Sequence, residues 1–164
     1  RSRLTEILQK KERGLNREMT NTDKRTEKKL PLRLRPHHGL CIYYFRGSGY
    51  SEEFTEHMKE VIRSLKDNPR IILTVGEDEV CSSCPNRTPR GCSERQKAES
   101  YDRKVLELCG LFGSQNGPGS SENELRWEEY RQAVVSRIIR AGKRREVCGN
   151  CEWDGLCERI AEKA

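Results

Sequence analysis

Residues 79–92 read EVCSSCPNRTPRGC, three cysteines spaced C-x2-C-x7-C, and residues 146–157 read EVCGNCEWDGLC, three more spaced C-x2-C-x5-C. A C-x2-C pair sets two sulfurs on one tight turn, close enough to grip a single ion or the edge of a cluster. A third cysteine a few residues on can return to the same centre. Two such triads in a chain of 164 residues predict a fold in which distant segments converge on sulfur-ligated inorganic ions.

Other uses of cysteine compete with that reading. Eight cysteines is an even number, as a disulfide framework requires, and the sequon Asn86-Arg87-Thr88 would suit an oxidising compartment. That sequon lies between Cys84 and Cys92, where a glycan would crowd any metal centre. A thioredoxin-like site needs one C-x-x-C at a strand-to-helix junction, whereas each pair here has a third cysteine. Metal binding fits the ligand count best. Cys81, Cys84 and Cys92 supply three thiolates and Cys148, Cys151 and Cys157 three more; HHGLC at 37–41 adds Cys41 with His37 or His38. On a helix His37 and Cys41, at i and i+4, point the same way. Seven cysteines and one histidine furnish two four-ligand centres; a single centre with surplus thiols is the alternative. Cys109, beside Val105 and Leu108, reads as a small buried hydrophobe, and His57 as a surface side chain.

The bulk composition makes metal stapling useful. Charged residues are 35% and apolar residues 33% of the chain, so burial alone offsets chain entropy with little to spare. Net charge is +6, of which the first 29 residues carry +5. Residues 1–29 therefore read as a basic, polar extension and 30–164 as one cysteine-rich metal-binding domain. No run of 18 apolar residues occurs, so a soluble, cytoplasmic protein without a membrane partner is expected.

The remaining pattern sets the architecture. Leu30, Leu32 and Leu34 alternate with Pro31, Arg33 and Arg35 as a half-buried strand requires, with Pro31 at an edge or strand start. HHGLCIYYF suggests a short helix closed by Gly47 and Gly49. Ser51 caps a second helix whose Phe54, Met58, Val61, Ile62 and Leu65 share one face. RIILTVG at 70–76 is a strand, parallel to the first in a βαβ unit. A helix over 93–111 ends before the breaker GSQNGPGSS. Another starts at a capping box of Ser121 and Glu124, runs through Trp127, Tyr130, Val134 and Ile138 to Gly142, and a short final helix closes the chain. The expected class is α+β, mostly helical: a small βαβ-like unit plus three or four helices organised around cysteine-ligated metal.

Zinc accepts four thiolates, or three and an imidazole, but its knuckle turn usually places Gly just after the second cysteine. Here Pro85 follows Cys84 and Glu152 follows Cys151. Proline directly after a ligating cysteine occurs in ferredoxin runs, and Tyr43, Tyr44 and Trp153 could shield a cluster from water. The stretches LRLRPHHGLC, FRGSGYSEEF, CSSCP with a later GC, and CGNCEWDGLC resemble the bacterial and archaeal family called domain of unknown function 1284, over about residues 30–160. Members of that family read HHLLC, and Gly39 here replaces the first leucine. The resemblance implies an iron–sulfur-binding protein with no established reaction. It points to Cys41, Cys81, Cys84, Cys92, Cys148, Cys151 and Cys157, with His37 or His38, as ligands.

The expected cofactor is thus an iron–sulfur cluster, 4Fe-4S, with zinc as the alternative, and the expected role is electron transfer or redox sensing with a redox partner protein. A zinc-stabilised interaction module, using the basic extension on nucleic acid or an acidic partner, is the second reading. A metal-dependent enzyme with the His37-His38 pair as proton carrier is the third. Neither the C-x3-C-x2-C run of radical enzymes, nor a Gly-rich phosphate loop, nor a dinucleotide fingerprint is present.

Overall fold

The alternating leucines form β1 (Leu32–Leu34), with Leu34 fully buried and Arg33 exposed. In the computed structural model, which describes residues 30–111 and 124–163, β1 lies at one edge of a three-stranded sheet, with Arg70–Leu73 at its centre and Glu124–Arg126 at the other edge. The centre of the sheet is β2 (Arg70–Leu73), parallel to β1 with Leu32 opposite Ile71 and Leu34 opposite Leu73. The extension at 1–29, the glycine-rich stretch and Ser121 lie outside the described residues.

The two expected helices fill the crossover between the parallel strands. Helix α1 (His38–Tyr44) buries Gly39, Leu40 and Tyr44. Helix α2 (Glu52–Leu65) begins where the Ser51 side chain accepts the Phe54 N–H, as expected of a serine cap, and buries Phe54, Met58, Val61 and Leu65 on one face. After β2 the chain enters a 3-10 turn at Val80–Ser83. A small hairpin follows, β3 (Arg87–Thr88) with β4 (Gly91–Cys92), in which Arg87 faces Cys92. Helix α3 (Arg95–Cys109) stops at Gly110, whose φ of 67° is the left-handed conformation a helix C-terminus favours.

The segment after the glycine-rich stretch departs from expectation. Glu124 does not complete a helix cap; it belongs to β5 (Glu124–Arg126), antiparallel to β2. Ile71 and Ile72 supply a partner-seeking edge that outweighs the local S-x-x-E signal. The helix starts later, as α4 (Trp127–Val134), with the Glu129 carboxylate accepting the Arg126 N–H at 2.9 Å. It passes into a π turn at Val135–Ile139. Two short helices end the chain, α5 (Arg144–Cys148) and α6 (Asp154–Ala161). Six α-helices among the described residues slightly exceed the βαβ helix plus three or four others expected, because the turns around the cysteines break the C-terminal part into short pieces. The fold is α+β and mostly helical. No helix among the described residues is long and apolar enough to cross a membrane.

The core is less thin than composition suggests, because its apolar residues are concentrated on the sheet and on α1 to α4. Gly39 has a specific part in it. A Cβ there would lie 2.7 Å from Cε1 of Tyr130, a fully buried ring whose hydroxyl donates to the Pro36 carbonyl. Gly39→Leu is therefore expected to cost about 1–3 kcal/mol by overpacking, measured by urea denaturation. Pairing it with Tyr130→Leu should return part of the loss.

Candidate metal centre

The two cysteine triads form matching turns from unlike sequences. In the first, the Cys84 N–H donates to the Cys81 carbonyl at 3.1 Å; in the second, the Cys151 N–H donates to the Cys148 carbonyl at 3.0 Å. In the second turn the Trp153 N–H reaches the Cys151 sulfur at 3.5 Å, and in the first the Asn86 and Arg87 amides face the Cys84 sulfur. Both donors nearest the second cysteine sit two residues after it. The absence of a knuckle glycine therefore leaves the amide-to-sulfur contact intact, and with it falls one sequence argument against zinc.

All seven expected cysteines, with His37 and His38, line one cavity of about 480 Å³. Its walls come from α1, the 3-10 turn, the hairpin, α3, and the C-terminal turn between α5 and α6. All eight cysteines are free thiols. Cys109 stands apart, 3% exposed on α3 against the core, as expected of a small hydrophobe. Burial pushes its thiol up to about 11.

Without a cation the site resists thiolate formation. Burial, followed by the nearby charge of Asp78, pushes Cys81 up to about 12, and burial pushes Cys148 up to about 11 despite the Arg144 guanidinium. Cys41 is open to the cavity yet surrounded by protein at longer range. That surround raises its thiol well above the ordinary value, and Cys148, Cys151 and Cys157 raise it further. A metal ion bound here would supply the positive charge that reverses these shifts, so its loading would release protons and fail as pH falls.

The histidines are held by carboxylates that sequence reading missed. His37 Nδ1 lies 2.6 Å from Asp102 and His38 Nδ1 lies 2.6 Å from Asp78. The imidazole rings are 4.4 Å apart. A carboxylate on Nδ1 fixes the tautomer and presents Nε2, the arrangement that orients metal-binding histidines. Asp102 also accepts two hydrogen bonds from the buried Arg35 guanidinium, at 2.9 and 2.7 Å. Asp78 accepts the Arg35 and Cys81 amides at 2.6 and 3.1 Å. Among the described residues, His38, Asp78 and Cys81 form the one trio whose ligand atoms all lie within 4.8 Å of one another. With the Asp78 oxygens already taken by these donors, its part is to orient His38 and the Cys81 turn. His57 is not a free surface side chain: its Nε2 lies 2.8 Å from both the Glu79 carbonyl and Ser82 Oγ, bracing the first cysteine turn from α2.

These groups give the fold an acid-sensitive element. Burial, then the adjacent His38, lowers His37 from 6.5 to about 4. The native state thus excludes a proton that the unfolded chain takes up, so this contribution is present above pH 6.5 and declines as pH falls towards 4. Burial opposes ionisation of Asp78, but His38 and the donated amides outweigh it and hold the carboxyl at about 2, a contribution lost only below pH 3.8. Stability measured by urea titration is expected to fall between pH 6.5 and 4, and His37→Gln should flatten that slope. An unchanged slope would remove His37 as its source.

A family model described as "Protein of unknown function (DUF1284)" matches residues 49–157. No curated protein and no solved structure matches the chain.

Proposed function

Since the chain belongs to the DUF1284 family, whose description leaves the chemistry to the site itself, we propose that it is an iron–sulfur cluster-binding protein serving electron transfer or redox sensing. The observation that carries this reading is the spacing of sulfurs around one cavity. A tetrahedral zinc–thiolate site, with Zn–S near 2.3 Å, brings sulfurs to about 3.8 Å from each other. Among the described residues no three cysteine sulfurs lie within 4.8 Å of one another, although seven cysteines face the same space. Sulfurs held that far apart suit a polynuclear centre better than a lone ion.

The residues present fit such a group. Free thiols on two turns, amides aimed at sulfur, and flanking aromatics at Tyr44, Tyr101 and Trp153 are what cluster ligation and partial exclusion of water require. When bound, a cluster takes up and returns one electron at a time. The chain's own residues hold it, limit water access, and place Arg144 beside the Cys148 and Cys157 sulfurs, where its charge favours thiolate. Tyr50, 37% exposed and edge-on to both Phe54 and Trp153, brings the aromatic wall to the surface, where a redox partner protein would dock. Thiol ligation of this kind requires a reducing setting, and the cytoplasm supplies one.

Protein purified without oxygen is expected to be brown, to contain iron and acid-labile sulfide in equal amounts, and to bleach on reduction. Stoichiometric zinc without sulfide in colourless protein would overturn the proposal.

A further inference from the structure

Resting on the cluster reading above, we propose that the cavity holds two centres. Cys41, Cys148, Cys151 and Cys157 ligate one cluster, and Cys81, Cys84 and Cys92 ligate a second that His38 completes through Nε2.

The division follows from how the fold returns each sulfur. Helix α1, which carries Cys41, packs on α6, which carries Cys157, while Cys148 ends α5 and Cys151 follows on the turn between them. These four come from one side of the cavity. On the other, the Arg87 N–H donates to the Cys84 carbonyl at 3.1 Å, and Arg87 pairs with Cys92 across the β3–β4 hairpin. The hairpin therefore carries Cys92 back to the Cys81–Cys84 turn.

The first group is complete in sulfur and the second is one ligand short. His38 stands beside it, with one ring nitrogen within 4.8 Å of an Asp78 carboxylate oxygen and of the Cys81 sulfur. The 2.6 Å contact between Asp78 and Nδ1 leaves Nε2 as the coordinating nitrogen. His37 is held by Asp102 instead and belongs to no such trio among the described residues. Histidine in place of cysteine on one iron raises a cluster's potential, so the two centres would differ in the electrons they accept.

The test uses anaerobically prepared full-length protein, uniformly labelled or labelled with 15N only at histidine. Iron and sulfide equivalent to two clusters are expected. About half should remain in Cys81→Ala/Cys84→Ala and about half in Cys148→Ala/Cys151→Ala. Pulsed EPR of the reduced wild type should show 15N-histidine coupling that disappears in His38→Gln. Wild-type protein with neither iron nor sulfide would overturn the cluster reading and the division with it. One cluster's worth of iron, lost with either pair, would overturn the division alone. Should the double variants fail to fold, the wild-type spectrum decides: two clusters without histidine coupling would remove His38 from the second centre.

Discussion

Cys151→Ser is expected to strip the C-terminal thiol group of the metal proposed there and to unfold α6, while the sheet and α2 keep their amide protection. The reason lies in what otherwise holds residues 149–161. Helix α6 spans eight residues and none of them is fully buried, and α5 spans five. Isolated helices shorter than about 12 residues are marginal in water. Arg145 contacts Asp154 at 3.2 Å and Glu158 at 3.4 Å, and exposed pairs of this kind contribute about 0–1 kcal/mol each. Arg144 and Asp154, 2.7 Å apart, are nearly buried, so their attraction is largely offset by desolvation. A structural metal contributes far more, about 10–16 kcal/mol in small zinc domains, a sum comparable with the whole stability of an ordinary domain. With the proposed metal bound, removing one ligand would therefore remove the main attachment. Hydrogen exchange followed by mass spectrometry should show protection in 149–161 falling at least about a hundredfold, with Cys109→Ser as a control that keeps both metal and protection. Full metal content and unchanged exchange in Cys151→Ser would refute the stapling argument.

That prediction depends on a feature the sequence shows well and one it hides. The C-x2-C spacing states that two sulfurs share a turn, and the alternation in LPLRL and the single apolar face of 52–65 state where the parallel strands and α2 fall; the structure has each in place. These are local signals, written in periodicity. Strand β5 was illegible because three residues, Glu-Leu-Arg, carry no period of their own and become a strand only when β2 offers its edge. Asp78 and Asp102 were illegible for another reason. In GEDEV and SYDRK they stand among other charged residues, and nothing in spacing separates a buried carboxylate from a solvated one. What makes them different is contact across long sequence separation: Asp78 with Arg35 and His38, Asp102 with Arg35 and His37. The histidines were visible as ligand candidates, whereas the groups that aim them were not.

Asp102→Asn is the second large effect, an expected loss of about 3–5 kcal/mol in a protein whose total stability is on the order of 5–15 kcal/mol. Arg35 is 2% exposed and Asp102 is fully buried, so their charges face each other out of reach of water. One carboxylate oxygen accepts both guanidinium N–H groups; the other accepts the His37 amide at 3.2 Å and meets its ring at 2.6 Å. Asparagine keeps the shape but removes the charge, leaving a buried guanidinium without its counterion, and an amide nitrogen turned towards it would set donor against donor. The cost arises from one-sided removal. Arg35→Met combined with Asp102→Asn is therefore expected to be more stable than Asp102→Asn alone, because the uncompensated charge is gone. Urea denaturation of the four proteins of this cycle gives the coupling directly. A loss below about 1 kcal/mol in Asp102→Asn, or a double variant no better than the single, would show that Arg35 finds another partner and that the ion pair is not what fixes the floor beneath His37.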